Sequence, residues 1–187
     1  MSLHLFDFAE LPVSPWRNGG GETREIACWP PGAQDFDWRA SIATIAQDGP
    51  FSAFAGIDRS ITLLEGDGVH LFSAGRIDHA LAQVGEPFAF SGDVALDARL
   101  LGGGSRDFNI MTRRGRHAAG VRRINAAVAL PAGHAGVLYA LSGEWSLPGE
   151  VTLRARQGAW WPAGGFGGTL APLAKECAIL WADITAC

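Results

Sequence analysis

Lysine occurs once in the 187 residues, at Lys175, and there are only three cysteines, Cys28, Cys177 and Cys187. So little surface lysine, beside 25 glycines and 10 prolines, does not suit a helical bundle. The cysteines are odd in number and form no CxxC, which argues against a disulfide framework and against a thiolate zinc site. They read as small buried or incidental thiols. Positive charge is also short: 15 basic against 19 acidic side chains leave a formal charge of −4, whereas a nucleic-acid coat needs a basic face. Long apolar runs are missing. The stretch 124–143 is broken by Asn125, Pro131, Gly133 and His134, and the stretch 157–174 is full of Gly and Pro, so neither reads as a membrane helix. The first residues show no basic region followed by an apolar run, so no signal peptide is expected. These absences predict a cytoplasmic protein with neither membrane nor nucleic acid as partner.

What is present is a rhythm of short β-prone runs. Apolar residues make up 48% of the chain, enough to bury a core. Residues 61–64 run into the turn Glu65-Gly66-Asp67-Gly68 and on to 69–72; residues 87–90 precede Ser91-Gly92-Asp93. The later half repeats this, with 137–141 leading through Ser142-Gly143-Glu144 to 145–147, then 151–155 and 159–161, and a closing strand over 177–181. Such spacing predicts antiparallel hairpins, and no segment sustains a helical period. Leu63-Leu64-Glu65-Gly66 matches Ala140-Leu141-Ser142-Gly143, which suggests a duplicated sandwich or barrel. Residues 1–40 read as irregular, with extended segments and loops. The polar stretch around 112–121 reads as the boundary between an N-terminal half, 1–112, and a C-terminal half, 113–187.

Longer strings carry a family likeness. WRNGGGETREIACWP (16–30), FDWRASIATIAQDGPFSAFAGIDRSITLLEG (36–66) and DFNIMTRRG (107–115) resemble the HutD/Ves family, and GVLYALSGEWSL with GAWWPAGG resembles a cupin hairpin set. The resemblance covers essentially the whole chain. It implies an all-β bicupin, two antiparallel β-barrel or jelly-roll halves packed as one compact protein. It also implies a bacterial protein associated with histidine utilisation, with a regulatory or modulating role in which a small carboxylate intermediate, urocanate or N-formylglutamate, is bound. A metal-independent isomerase or hydrolase acting on such a compound is the alternative, and a homodimer is compatible with either.

Metal-binding cupins place His-x-His, a Glu and a later His on facing strands, which converge inside the barrel. The five histidines here, His4, His70, His79, His117 and His134, include no such pair. Counting seven residues back from Gly143 lands on Gly136, and the later His position falls on Gly167. In the first half the same count from Gly66 lands on Arg59, a cation where a metal needs an anion. No metal and no other cofactor is therefore expected. No nucleophile motif is visible either, so no catalytic residue is assigned.

Arg59, if inward, needs a partner, because an unpaired buried charge is costly. That partner is either an internal carboxylate, Asp107 or Glu25, or a ligand carboxylate gripped in a bidentate fork, and the resemblance favours the ligand. Asp58 alternates to the other face. Trp16 and Asn18, beside a run of three glycines, can wall a cavity and orient a ligand. Phe51 and Ser52 precede Arg59, and Asp107 and Asn109 share one face of an extended segment. Arg113, Arg114, Arg116, Arg122 and Arg123 read as a solvated segment between the halves.

Overall fold

The apolar runs form strands in the computed structural model, which describes residues 3–187. In chain order these are β1 (His4–Asp7), β2 (Val13–Pro15), β3 (Gly21–Trp29), β4 (Trp38–Ile45), β5 (Gly49–Phe51), β6 (Ile57–Gly66), β7 (Val69–Ser73), β8 (Ile77–Leu81), β9 (Pro87–Ser91) and β10 (Leu96–Leu100). They continue as β11 (Ser105–Arg113), β12 (His117–Ile124), β13 (Val128–Leu130), β14 (Ala135–Ser142), β15 (Glu144–Leu147), β16 (Val151–Arg154), β17 (Gln157–Trp161), β18 (Gly168–Pro172) and β19 (Ala178–Ala186). Among the described residues there is no α-helix, so none is long and apolar enough to cross a membrane.

The chain divides into two β units. One comprises Pro12–Arg116 and holds a sheet β2-β3-β4-β11-β6-β9 and a sheet β5-β10-β7-β8. Its core gathers Ile45, Ile61, Leu63, Val69, Leu71 and Leu81, all nearly inaccessible to solvent. The other takes the residues up to Leu11 together with His117–Cys187, in sheets β1-β17-β14-β19-β12 and β13-β18-β15-β16. The two strand ends matched in the sequence are equivalent in structure: Gly66 and Gly143 both have positive φ, which glycine adopts without strain, and each sits at the end of a long buried strand.

Two expectations are refined. The extended segments expected within 1–40 are paired strands, β1, β2, β3 and the start of β4. A register shift between Glu25 and Ala27 breaks the alternation of β3, which hides it from a period-two reading. The halves 1–112 and 113–187 also differ from the observed division. β11 continues through Arg113, His117–Ile124 is a strand rather than a linker, and β1 belongs with the C-terminal residues because His4–Asp7 pairs with Gln157–Trp160.

The second unit has a large aromatic core. Trp145, Trp161, Phe166 and Trp181 pack with Leu138 and Ile179 in one buried cluster. A Cβ at Gly136 would lie 2.3 Å from the Trp161 ring, so glycine is what lets that ring lie flat across β14. Gly136→Ala is expected to destabilise the protein by about 1–3 kcal/mol, the usual cost of overpacking. The urea midpoint reads it, and an unchanged midpoint would show that the ring has room to move.

Candidate functional site

The first unit carries a cavity. A cavity of about 500 Å³ opens on the inner face of the β3-β4-β11-β6 sheet. Strand register sets its wall. Arg39, Met111 and Arg59 lie side by side across β4, β11 and β6. Ser41, Asn109 and Ile61 form the next row, and Ala43, Asp107 and Leu63 the row beyond. Alternation then turns Arg59 inward and leaves Asp58 exposed, as the count from Gly66 predicts.

Arg59 is 6% exposed. Its Nη1 donates to the Ser52 carbonyl at 3.3 Å and its Nη2 to Asn109 Oδ1 at 3.2 Å. Both acceptors are neutral, and Nε has no partner among the described residues. Three rings surround the guanidinium, with Phe51, Phe90 and Phe54 centroids 4.8, 5.2 and 5.3 Å from Cζ. Burial first, and the neighbouring Arg39 charge second, push its pKa down to about 10. The internal carboxylate partners considered from sequence are not used. Glu25 bonds Arg39 at 2.7 Å, and Asp107 bonds Ser105 Oγ at 2.9 and 3.1 Å.

Of the residues singled out in the sequence, Arg59, Trp16, Asn18, Phe51, Ser52 and Asn109 all line this cavity. Trp16 is held by its Nε1 donating to Thr23 Oγ1 at 2.8 Å, while Asn18 Oδ1 accepts from the Gly20 amide at 3.0 Å and so shapes its own turn. Asp107 does not line the cavity. It sits in the row next to that of Asn109, is fully buried, and burial pushes its pKa up to about 7 against the lowering effect of Ser105. Arg39, Ser41, Thr23, Phe54 and Met111 also line the wall and were not among the site residues expected from sequence. Arg39 and Ser41 are polar residues facing inward on a strand that reads as core, and that inversion was the available signal.

Among the described residues no three His, Cys, Asp or Glu side chains converge as a metal site. His134 Nδ1 instead lies 2.8 Å from Asp183 Oδ1. Three arginines of the basic stretch have local carboxylate partners: Arg113 meets Asp35, Arg114 meets Asp58 and Asp93, and Arg116 meets Asp37. Arg122 lies over the Trp181 ring at 4.5 Å.

Two antiparallel β units of duplicated pattern make this a bicupin. The chain belongs to the HutD family, whose model matches residues 8–181. It is 46% identical to Protein Ves of Citrobacter koseri over 184 residues, covering 98% of this chain and 94% of that one. It superposes on the structure of HutD from Pseudomonas fluorescens SBW25, described for a formate condition, with a TM-score of 0.86 and 27% identity over all of both chains. A likeness to oxalate decarboxylase from Lactobacillus farciminis, at a TM-score of 0.65 and 8% identity over 96% of this chain and 85% of the other, concerns the cupin fold alone.

Proposed function

We propose that the protein binds a small carboxylate intermediate of histidine degradation, urocanate or N-formylglutamate, in the cytoplasm, and thereby modulates histidine utilisation. The observation that carries this reading is Arg59: a buried guanidinium with only neutral partners, facing a cavity whose lining contains no acidic side chain. An entering carboxylate supplies the missing counter-charge in the paired geometry that arginine favours. Trp16, Phe51 and Phe54 offer ring faces to a flat ligand body, and Arg39 and Arg17 add positive charge on the same wall. The family membership supports the link to histidine utilisation.

The lining also favours binding over turnover. It comprises Arg, Asn, Ser, Thr, Pro, Ala, Met, Phe and Trp, with no side chain that titrates near neutrality. Asp107, the one neighbouring group that does, accepts from Ser105 Oγ and does not itself line the cavity. A thermal-shift screen of urocanate, N-formylglutamate and glutamate tests the reading. A ligand at 100 times its dissociation constant is expected to stabilise by about 2.7 kcal/mol. Proton NMR of the best binder, incubated with protein, is expected to show it unconsumed. Consumption would turn the reading into the metal-independent isomerase or hydrolase, and no shift with any compound would remove it.

A further inference from the structure

The segment 52–56, between β5 and β6, pairs with no strand, yet it covers the guanidinium of Arg59. Its inner side supplies the Ser52 carbonyl and the Phe54 ring described above. On its outer side Ser52, Ala53 and Ala55 are exposed. What holds it down comes from two other elements. The Phe54 amide donates to the Gly92 carbonyl at 2.6 Å, the Gly56 amide donates to Asp93 Oδ1 at 2.7 Å, and the Gly56 carbonyl accepts from the Arg114 amide at 2.9 Å.

Asp93 is held in turn by the Arg114 side chain, whose Nη1 lies 2.8 Å from Asp93 Oδ2. The same guanidinium reaches Asp58 Oδ1 from Nη2 at 2.7 Å and Ser91 Oγ at 2.9 Å. One side chain thus joins the start of β6, the turn after β9 and the covering segment. These groups are close to half exposed, and ion pairs in water are individually weak. They can therefore break while the flanking sheets stay intact.

We infer that residues 52–56 form a strap that opens to expose Arg59, and that Arg114, acting through Asp93, sets how often it opens. Arg114 is a positioning residue in this account, since it touches neither Arg59 nor the cavity lining. The role of the opening, admission of a carboxylate to Arg59, rests on the function proposed above; the opening itself does not.

Phenylglyoxal, an arginine-directed dicarbonyl, tests the opening on the full chain without any ligand. Modification rates are read site by site by mass spectrometry, with Arg106 as the reference because it lies on the same sheet and pairs with Glu65 instead. Arg114→Met and Asp93→Asn are expected to raise the Arg59 rate about fivefold relative to Arg106, the size that one exposed ion pair supplies. Arg114→Lys should fall between these variants and the wild type, because a point charge replaces a fork that reaches two carboxylates. An Arg59 rate unchanged in both variants, or one that rises only in step with Arg106, overturns the strap. Stopped-flow binding of urocanate supplies the second arm, with both association and dissociation faster in the variants. If urocanate does not bind while the Arg59 rate still responds, the strap stands and the proposed function fails. If urocanate binds at unchanged rates and Arg59 is equally unreactive throughout, the strap fails and the proposed function stands.

Discussion

Arg59→Met should leave the stability of the unliganded protein nearly unchanged while removing most of its affinity for a carboxylate. The pKa of Arg59 falls from an ordinary 12.5 to about 10, and each unit is worth about 1.4 kcal/mol, so holding the charge in place costs on the order of 3 kcal/mol. For a base with a depressed pKa this penalty is present at every pH below about 10. Methionine removes it and keeps an unbranched apolar stem among Phe51, Phe54 and Phe90. Against this, Asn109 Oδ1 and the Ser52 carbonyl each lose a charged donor, about 1.5 kcal/mol apiece, and three rings lose a cation. The two sides cancel to within about 1 kcal/mol, or roughly 2–4 °C in melting temperature for a chain of this size. Binding should weaken by about 2–5 kcal/mol, since the ligand charge would then be buried alone. Arg59→Lys keeps the charge without the planar fork and should bind with intermediate affinity. Calorimetric melting and titration on the same samples read both quantities. A Met variant that melts lower and binds as well as wild type would make Arg59 a structural tether.

Asp107→Asn should change the pH dependence of stability more than any other single substitution in the first unit. The carboxyl is fully buried, and its pKa rises from 3.8 to about 7. The folded protein therefore keeps a proton that the unfolded chain loses near pH 4. For an acid shifted in this direction, stability is highest below pH 4, falls as pH rises through the interval, and is lowest above 7. The fall from this group alone is on the order of 3–5 kcal/mol. Asparagine carries no charge, so its fold stability lacks that slope. It does leave an amide donor to be satisfied beside Ser105, at about 1–3 kcal/mol. The variant should accordingly be the less stable protein at pH 4.5 and the more stable one at pH 8. Parallel urea curves at the two pH values for both proteins would contradict the buried, proton-holding state.

The hairpin rhythm was legible because its strands end in glycine turns and alternate in burial, as in β15 and β16. Arg59 was legible because the cupin resemblance offers a fixed count back from the Gly66 turn, and that count holds across the bulge at Leu64, where the register with β11 shifts. The same logic misled at Asp107. It shares a face with Asn109, as expected, but it is fully buried against Ser105, while Ala43 and Thr23 of the same row line the cavity in its place. Alternation gives a face and no depth. β3 and β4 escaped for a different reason: a bulge scrambles the first, and the second is buried along nearly its whole length with polar side chains turned inward. The bicupin architecture itself was carried by the family strings. Its allocation of β1 to the later residues depends on a pairing that no local pattern announces.

That pairing has a consequence for synthesis. Asp7 and Gln157, bonded through their side chains, are 150 positions apart. Every strand of the two sheets built from Pro12–Arg116 emerges from the ribosome before Gln157 does. The first-made strand thus waits for nearly the last, with a complete folded body inserted between them. Pre-folding that body shortens the free chain to be closed, and closure entropy grows only slowly with length. Until then β1 is an open edge bearing Leu5, which stays 57% exposed even at the end, and such edges invite mispairing. Its four residues lie near the short end of the usual strand range, so few bonds hold it to the correct sheet.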